Sequence, residues 1–419
     1  MNGNSCRWRR YALVGALAVH GAAEPVWAEP APSFAQLLRQ TADSPRMAVL
    51  DAEIERARGL AEQARARPNP IVSAYTENIA GAAPYGGFDR SETTLQLNQP
   101  IETGSKRSAR ISAGDAGVVA AQARGLDGRI GYAYDLARNY AAVEIADQRV
   151  ALAEDEVEEA SAVLKVANAQ VAAGKEARLR GLQAETELGA IEAELETAKA
   201  ARLASLARLS ALAGVEVPFT GVSGSLLDQT LASPASAPAD PLGSSAYLAA
   251  EAERIAAERR VAAERKRAVP DVTLQFGVRR LEADRANALV AGVSVPLHIF
   301  DRNKGNIAAA TAEARAAGAR AAAARLDAQT GLAAAAAMLP ATAGRTAAAK
   351  QTMATANEAY RLARIAYAAG KAPLSELLAA RHGLGAARAV ALDAAVAAFD
   401  VRATLARLRG RTITGEPLQ

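Results

Sequence analysis

Two alanine-rich stretches of nearly equal length dominate this sequence, and one offset relates their landmarks. The first runs from Gly104 to Gln170 without a proline; the second runs from Lys304 to Ala368 with Pro340 inside it. Pro100 and Pro296 precede the two stretches and lie 196 positions apart (296 − 100), and Gly174 and Gly370 at their far ends are also 196 apart (370 − 174). Self-similarity of this kind marks a duplicated chain. As α-helix, such a stretch spans on the order of 100 Å, whereas globular helices average roughly 11–12 residues. Each ends in Ala-Ala-Gly-Lys, which is a helix stop. Beyond each stop a second helix returns, over Glu176–Leu212 and Pro373–Gly410. Each half is therefore a long helical hairpin whose turn lies far from its base.

The segments before the rods also match. Residues 33–67 read as one helix with Ser33 at its N-cap, stopped by Pro68-Asn69-Pro70. Ile71–Ile79 reads as a strand, Gly81–Gly87 as a loop, and Glu92–Gln99 as a second strand closed by Pro100. In that strand Leu95 and Leu97 share one face, and Gln96 and Asn98 share the other. In the second half a helix over Ala246–Ala268 precedes a strand at Asp271–Arg279. There Val272, Leu274, Phe276 and Val278 oppose Thr273, Gln275 and Gly277. A turn near Glu282–Asn287 leads to Leu289–Val295, where Ala291, Val293 and Val295 oppose Val290, Gly292 and Ser294. Residues 29–212 and 246–410 are thus the two repeats, residues 213–245 a connector rich in Pro, Ser, Gly and Ala, and residues 411–419 a tail.

The N-terminus carries an address. Arg7, Arg9 and Arg10 precede a short apolar run from Tyr11 to Val19, followed by Val26-Trp27-Ala28. This pattern describes a secretory leader cleaved after Ala28. Roughly 20 apolar residues are needed to span a bilayer as a helix, and no stretch reaches that length. The single cysteine, Cys6, precedes the apolar run and is misplaced for lipid attachment. The formal charge of +4 selects no partner class. A basic run at Arg259-Arg260 and Arg265-Lys266-Arg267 has no interleaved aromatics to stack bases, so no nucleic acid is expected and the run reads as a solvated helix face.

Four alternating strands cannot close into a barrel, and an open sheet edge cannot sit in lipid. Exported proteins with such strands cross the outer membrane as closed barrels of eight or more strands. Closure therefore takes several chains: two supply eight strands and three supply twelve. Apolar side chains would face lipid, and Gln96, Asn98, Thr273, Gln275 and Ser294 would line a wet lumen. The expected architecture is mainly α with a small membrane β-barrel, the long helical hairpins forming an α-barrel beyond it.

Catalytic vocabulary is nearly absent. The histidines are His20, His298 and His382, far apart and without a cysteine beside them, so no metal site or cofactor is expected. No His-Glu-x-x-His, nucleophile elbow or phosphate loop is present. His298, beside Pro296, reads as a structural junction residue. The chain is not expected to be an enzyme.

The sequence resembles the TolC-type outer-membrane factors over essentially all of its exported part. The resemblance is carried by Arg67-Pro-Asn-Pro70, by Glu77-Asn78 with the Gly-rich loop to Phe88-Asp89, and by Glu92-Thr-Thr-Leu-Gln-Leu-Asn-Gln-Pro-Ile-Glu102 with Gly104 and Lys106-Arg107. Val295–Gly305 and Tyr367–Lys371 are the second-half counterparts. That first block is most similar to the outer-membrane component of cobalt–zinc–cadmium and nickel resistance pumps. The resemblance implies a homotrimer with a twelve-strand barrel in outer-membrane lipid, acting as a passive exit duct for divalent heavy-metal cations. Its partners would be a periplasmic adaptor and an inner-membrane resistance–nodulation–division pump. It also implies that the rod tips, with Gly174, Lys175, Arg180, Gly370 and Lys371, meet the adaptor and close the tube. In the family an acidic ring narrows this end, with carboxylates six and nine residues past the second-tip glycine; here those positions hold Glu376 and Ala379, so one carboxylate of the pair is missing. The lipidated N-terminal cysteine of some relatives is missing too. Two other readings remain: a duct for drugs or secreted proteins, and a soluble periplasmic coiled-coil adaptor or structural protein.

Overall fold

The structure is a computed structural model that describes residues 29–232 and 240–415. The expected leader, residues 1–28, lies outside the described residues. Eight α-helices occur among them: α1 Phe34–Gln40, α2 Pro45–Arg65, α3 Lys106–Ala172, α4 Arg178–Ala213, α5 Leu226–Ala232, α6 Ser245–Arg267, α7 Lys304–Ala368 and α8 Leu374–Leu408. The strands are β1 Ile71–Glu77, β2 Glu92–Ile101, β3 Val272–Leu281 and β4 Ala286–Ser294. They form one antiparallel sheet in the order β1-β2-β3-β4, leaving β1 and β4 as its two edges.

The rods α3 and α7 hold 67 and 65 residues. Their interior is mostly alanine (Ala120, Ala133, Ala137 and Ala167 in α3, Ala317, Ala321 and Ala328 in α7), so neighbouring helices approach closely with few bulky groups between them. Rod α3 packs against α2, α4, α6 and α8, and α7 against α6 and α8. Helix α7 continues through Pro340, which removes one backbone hydrogen bond without ending the helix.

Large side chains gather where α1, α3, α4, α5 and α8 meet. Tyr140, Leu136, Leu209, Leu226 and Phe399 are buried there, and Phe34 meets the Tyr140 ring edge-on with centroids 6.1 Å apart. The Tyr140 hydroxyl donates to the Ser223 carbonyl at 3.1 Å. Burial pushes its phenol up to about 12. Residues 29–31 bond to residues 220–223, from Ala31 N to Gly221 O at 2.8 Å and from Ser223 N to Ala31 O at 2.8 Å, which ties the segment before α1 to the connector.

The helix expected over residues 33–67 is broken. Pro45 opens α2 and holds Ser44 extended, at φ −66° and ψ 154°, as a residue before proline prefers. A 3₁₀ turn at Thr41–Asp43 precedes that break. Ser33 stands at the N-cap of α1, but its side chain makes no capping bond. The strand expected to reach Ile79 ends at Glu77, where Asn78 takes a left-handed φ of 60°. Strand β2 runs one residue beyond Pro100, in a part of β2 that no longer faces β1.

Candidate functional site

Strand register gathers most polar side chains of β2 and β3 on one face of the sheet and most apolar ones on the other. Paired residues share a face, so the pairs Gln96–Gly277, Asn98–Gln275 and Thr273–Ser294 put all five of the expected lumen residues on one side. Asn98 Nδ2 donates to Ser73 Oγ at 2.9 Å across the β1–β2 pair. A Cβ at Gly277 would stand 2.6 Å from the Leu95 carbonyl oxygen, so only glycine lets β3 lie this close to β2. Toward the outer end of the same face Arg279 binds two carboxylates, Glu92 at 2.8 Å and Glu77 at 3.3 Å, and donates to Thr94 Oγ1 at 3.0 Å. The opposite face carries Leu95, Leu97, Phe276, Val278, Leu289 and Val293, all exposed, Leu289 to 90 %. An apolar surface of this extent marks an interaction face.

At the far end of the molecule both rods stop in the same way. Gly174 and Gly370 adopt φ of 70° and 68°. Lys175 N donates to Gln170 O at 2.9 Å, and Lys371 N to Ala366 O at 2.8 Å. Gly174 N reaches Val171 O at 3.0 Å, and Gly370 N reaches Tyr367 O at 2.9 Å. This is the Schellman cap, repeated bond for bond. Gln170 Nε2 also donates to the Tyr367 carbonyl at 3.3 Å, joining the two rods near their tips. Tyr367 is buried with Tyr360, Val163, Leu374 and Leu377, and burial raises its phenol above the usual value.

The two tips differ in charge. Arg180 and Glu376 lie 196 positions apart (376 − 180), each donating its amide N–H to the carbonyl three residues back, Ala177 and Pro373. Arg180 is half-buried, 3.9 Å from Glu176, and donates to Gln183 Oε1 at 3.0 Å. Glu376 is exposed in the first turn of α8, where the helix dipole favours a carboxylate. Lys175 and Lys371 are exposed at the turns themselves.

Behind the tips lies a charged groove of about 640 Å³ between α3, α4 and α8, a feature outside the expectations from sequence. Arg381 of α8 is 5 % exposed and binds Glu187 of α4. His382 Nε2 stands 2.9 Å from the same carboxylate. Arg388 reaches Glu159 of α3 at 3.3 Å. The Nε of Arg381 and Nη1 of Arg388 are buried without an acceptor. Burial raises the Glu156 carboxyl above its usual value, against the pull of Arg381. A Cβ at Gly385 would stand 2.6 Å from Glu156 Oε1, so glycine makes room for that carboxylate. The sequence signal was present but weak: Arg381 and Arg388 lie seven residues apart, on one helix face, in an alanine-rich run.

Among the described residues no three His, Cys, Asp or Glu side chains converge as a metal site, and no helix is long and apolar enough to cross a membrane. His298 Nδ1 donates to the Ala268 carbonyl at 2.9 Å.

A family model described as outer membrane efflux protein matches residues 38–215 and 244–411. The chain is 40 % identical over 305 residues to the nickel-cobalt-cadmium resistance protein NccC of Alcaligenes xylosoxydans xylosoxydans, covering 72 % of this chain and 69 % of that protein. It is 30 % identical over 362 residues to the cobalt-zinc-cadmium resistance protein CzcC of Cupriavidus metallidurans, covering 86 % and 85 %. In fold it is similar to the outer-membrane channel OprN, with a TM-score of 0.76, 20 % identity, and coverage of 91 % of this chain and 90 % of that one. It is likewise similar to the outer membrane protein VceC of Vibrio cholerae, at 0.74 and 20 %, covering 91 % and 96 %.

Proposed function

We infer the function from one premise: the chain belongs to the outer membrane efflux protein family. It is the outer-membrane channel of a heavy-metal efflux system, a passive duct with no chemistry of its own. One observation carries this reading: the four-stranded sheet is mainly polar on one face, mainly apolar and exposed on the other, and open at β1 and β4. Lipid satisfies the apolar face but cannot satisfy free backbone edges, so neighbouring copies complete the ring. Three copies give twelve strands, with Gln96, Asn98, Thr273, Gln275 and Ser294 on the water-filled side. The leader is removed after Ala28, and the rods extend into the periplasm.

At the tips Gly174, Lys175, Arg180, Gly370 and Lys371 meet a periplasmic adaptor, and an inner-membrane resistance–nodulation–division pump drives export. Glu376, repeated around the threefold axis, forms an acidic gate ring that attracts divalent cations. The cargo is nickel, cobalt, zinc or cadmium, on the strength of the related resistance proteins. The test is direct. Detergent-purified protein should hold three chains per particle, conduct ions in planar bilayers, and protect cells against these metals and not against antibiotics. Glu376→Gln should lower cation selectivity and weaken divalent block. Monodisperse monomers that stay soluble without detergent would overturn the reading.

A further inference from the structure

The two halves join sheet to rod differently. Five residues separate Pro100 from Lys106, but seven separate Pro296 from Lys304, and the longer joint contains Leu297-His298-Ile299-Phe300. In that joint Leu297 is 77 %, Ile299 61 % and Phe300 99 % exposed. Three bonds hold it against the end of α6: His298 Nδ1 to the Ala268 carbonyl at 2.9 Å, and Asn303 Nδ2 to the Glu264 carbonyl at 2.8 Å and to Glu264 Oε2 at 2.9 Å. The apolar side chains are thereby fixed beside the basic C-terminus of α6. Arg265, Lys266, Arg302 and Lys304 are exposed and make no ion pair among the described residues. The local carboxylates are already engaged: Glu264 binds Arg267 at 2.9 Å, and Asp301 accepts the Asn303 amide at 2.8 Å. The shorter joint of the first half has no such patch. Its Lys106 pairs with Asp271 at 2.8 Å, its Arg110 with Glu102, and its Arg107 donates to the Arg65 carbonyl at 2.8 Å.

We propose that the longer joint is a lipid-seating collar, with Leu297, Ile299 and Phe300 entering the leaflet nearest the rods and Arg265, Lys266, Arg302 and Lys304 binding the headgroups of anionic phospholipid. The proposal rests on the membrane reading above. The apolar band of the sheet continues through Val293 and Val295 into this joint, so a leaflet wetting the sheet reaches Phe300. Unpaired cations at that boundary complement an anionic surface, and each contributes about fivefold in affinity for it. Arg265 and Lys266, the unpaired members of the second half of the basic run, thus find an occupant of opposite charge.

Tryptophan in place of Phe300 reports the occupant, because Trp8 and Trp27 both lie in the leader that the reading above removes. The variant is reconstituted in mixed phosphatidylcholine and phosphatidylglycerol bilayers in which one lipid or the other carries brominated chains. Brominated phosphatidylglycerol should quench Phe300→Trp several-fold more than brominated phosphatidylcholine. Changing Arg265, Lys266, Arg302 and Lys304 to glutamate should make the two equal. Leu95→Trp, at the middle of the apolar sheet face, should be quenched equally by both. Quenching at Leu95→Trp without quenching at Phe300→Trp would place the joint against a neighbouring subunit or water, and would overturn the collar alone. Equal quenching of Phe300→Trp by both lipids would overturn headgroup selection. Absence of quenching at both sites would overturn the membrane reading and the collar with it.

Discussion

The side-chain amide of Gln170 donates to the backbone carbonyl of Tyr367 across 3.3 Å, linking the last turn of one rod to the last turn of its copy. A neutral hydrogen bond of this kind contributes about 1 kcal/mol net, or roughly fivefold in an equilibrium. Gln170→Leu should raise the open probability of single channels by that factor and leave their full conductance unchanged. Single-channel recording in planar bilayers is the check.

Arg381 makes the most buried ion pair among the described residues, held to Glu187 with His382 against the same carboxylate. Removing one partner of such a pair leaves an uncompensated charge. Arg381→Met should therefore destabilise the helical hairpins by about 3 kcal/mol, whereas Arg381→Met combined with Glu187→Met should recover most of the loss. Thermal melts of the four members of this cycle measure the coupling.

The Glu156 carboxyl is raised by burial above its usual 4.5. The folded state therefore holds its proton more tightly than the unfolded chain does. Its contribution to stability is complete below pH 4.5 and is lost as pH rises through the raised value. Glu156→Gln should stabilise the protein at neutral pH and shrink the difference between melts at pH 4.5 and pH 7.5. An unchanged pH difference would remove Glu156 as its source.

Leu95 and Gln96 are adjacent in β2 but face opposite sides of the sheet. Leu95→Arg should cost about 2–4 kcal/mol of membrane insertion, the usual penalty for a charge on the lipid face near the midplane. Asn98→Arg, on the same face as Gln96 but only half-buried, should insert normally and reduce cation conductance. Heat-modified gel mobility of outer-membrane fractions and conductance measurements separate the two outcomes.

Gly370 holds a left-handed φ of 68°, whereas Gly189 lies on an exposed face of α4 with open space where a Cβ would go. Gly370→Ala should destabilise by about 1 kcal/mol and Gly189→Ala should stabilise by a similar amount. Opposite shifts in melting temperature are expected.

Local and periodic features were legible in the sequence. The rods, their glycine stops and the alternation at Leu95–Asn98 and Val272–Val278 depend on neighbours a few residues apart, where propensity and pattern act directly. The charged groove was hard to read, because Glu187 and Arg381 meet only when α8 of the second hairpin packs against the first hairpin. The same holds for Glu144, which turns inward to accept the Leu226 amide at 2.6 Å and so anchors α5 from a position 82 residues earlier. The helix over residues 33–67 failed for a nearer reason: the constraint Pro45 places on Ser44 outweighed the helical pattern around it.

Arg180 and Glu376 occupy the same place in two copies of one hairpin, with opposite sign. In a ring of three chains Arg180 and Glu376 would alternate at six corresponding places, so the threefold axis cannot be promoted to a sixfold one. Identical adaptor molecules docking there would have to sort into two classes of contact, or dock in pairs whose members grip unlike tips. The duplication thus preserved a shape while discarding an equivalence, and the stoichiometry of any partner must respect the lower symmetry.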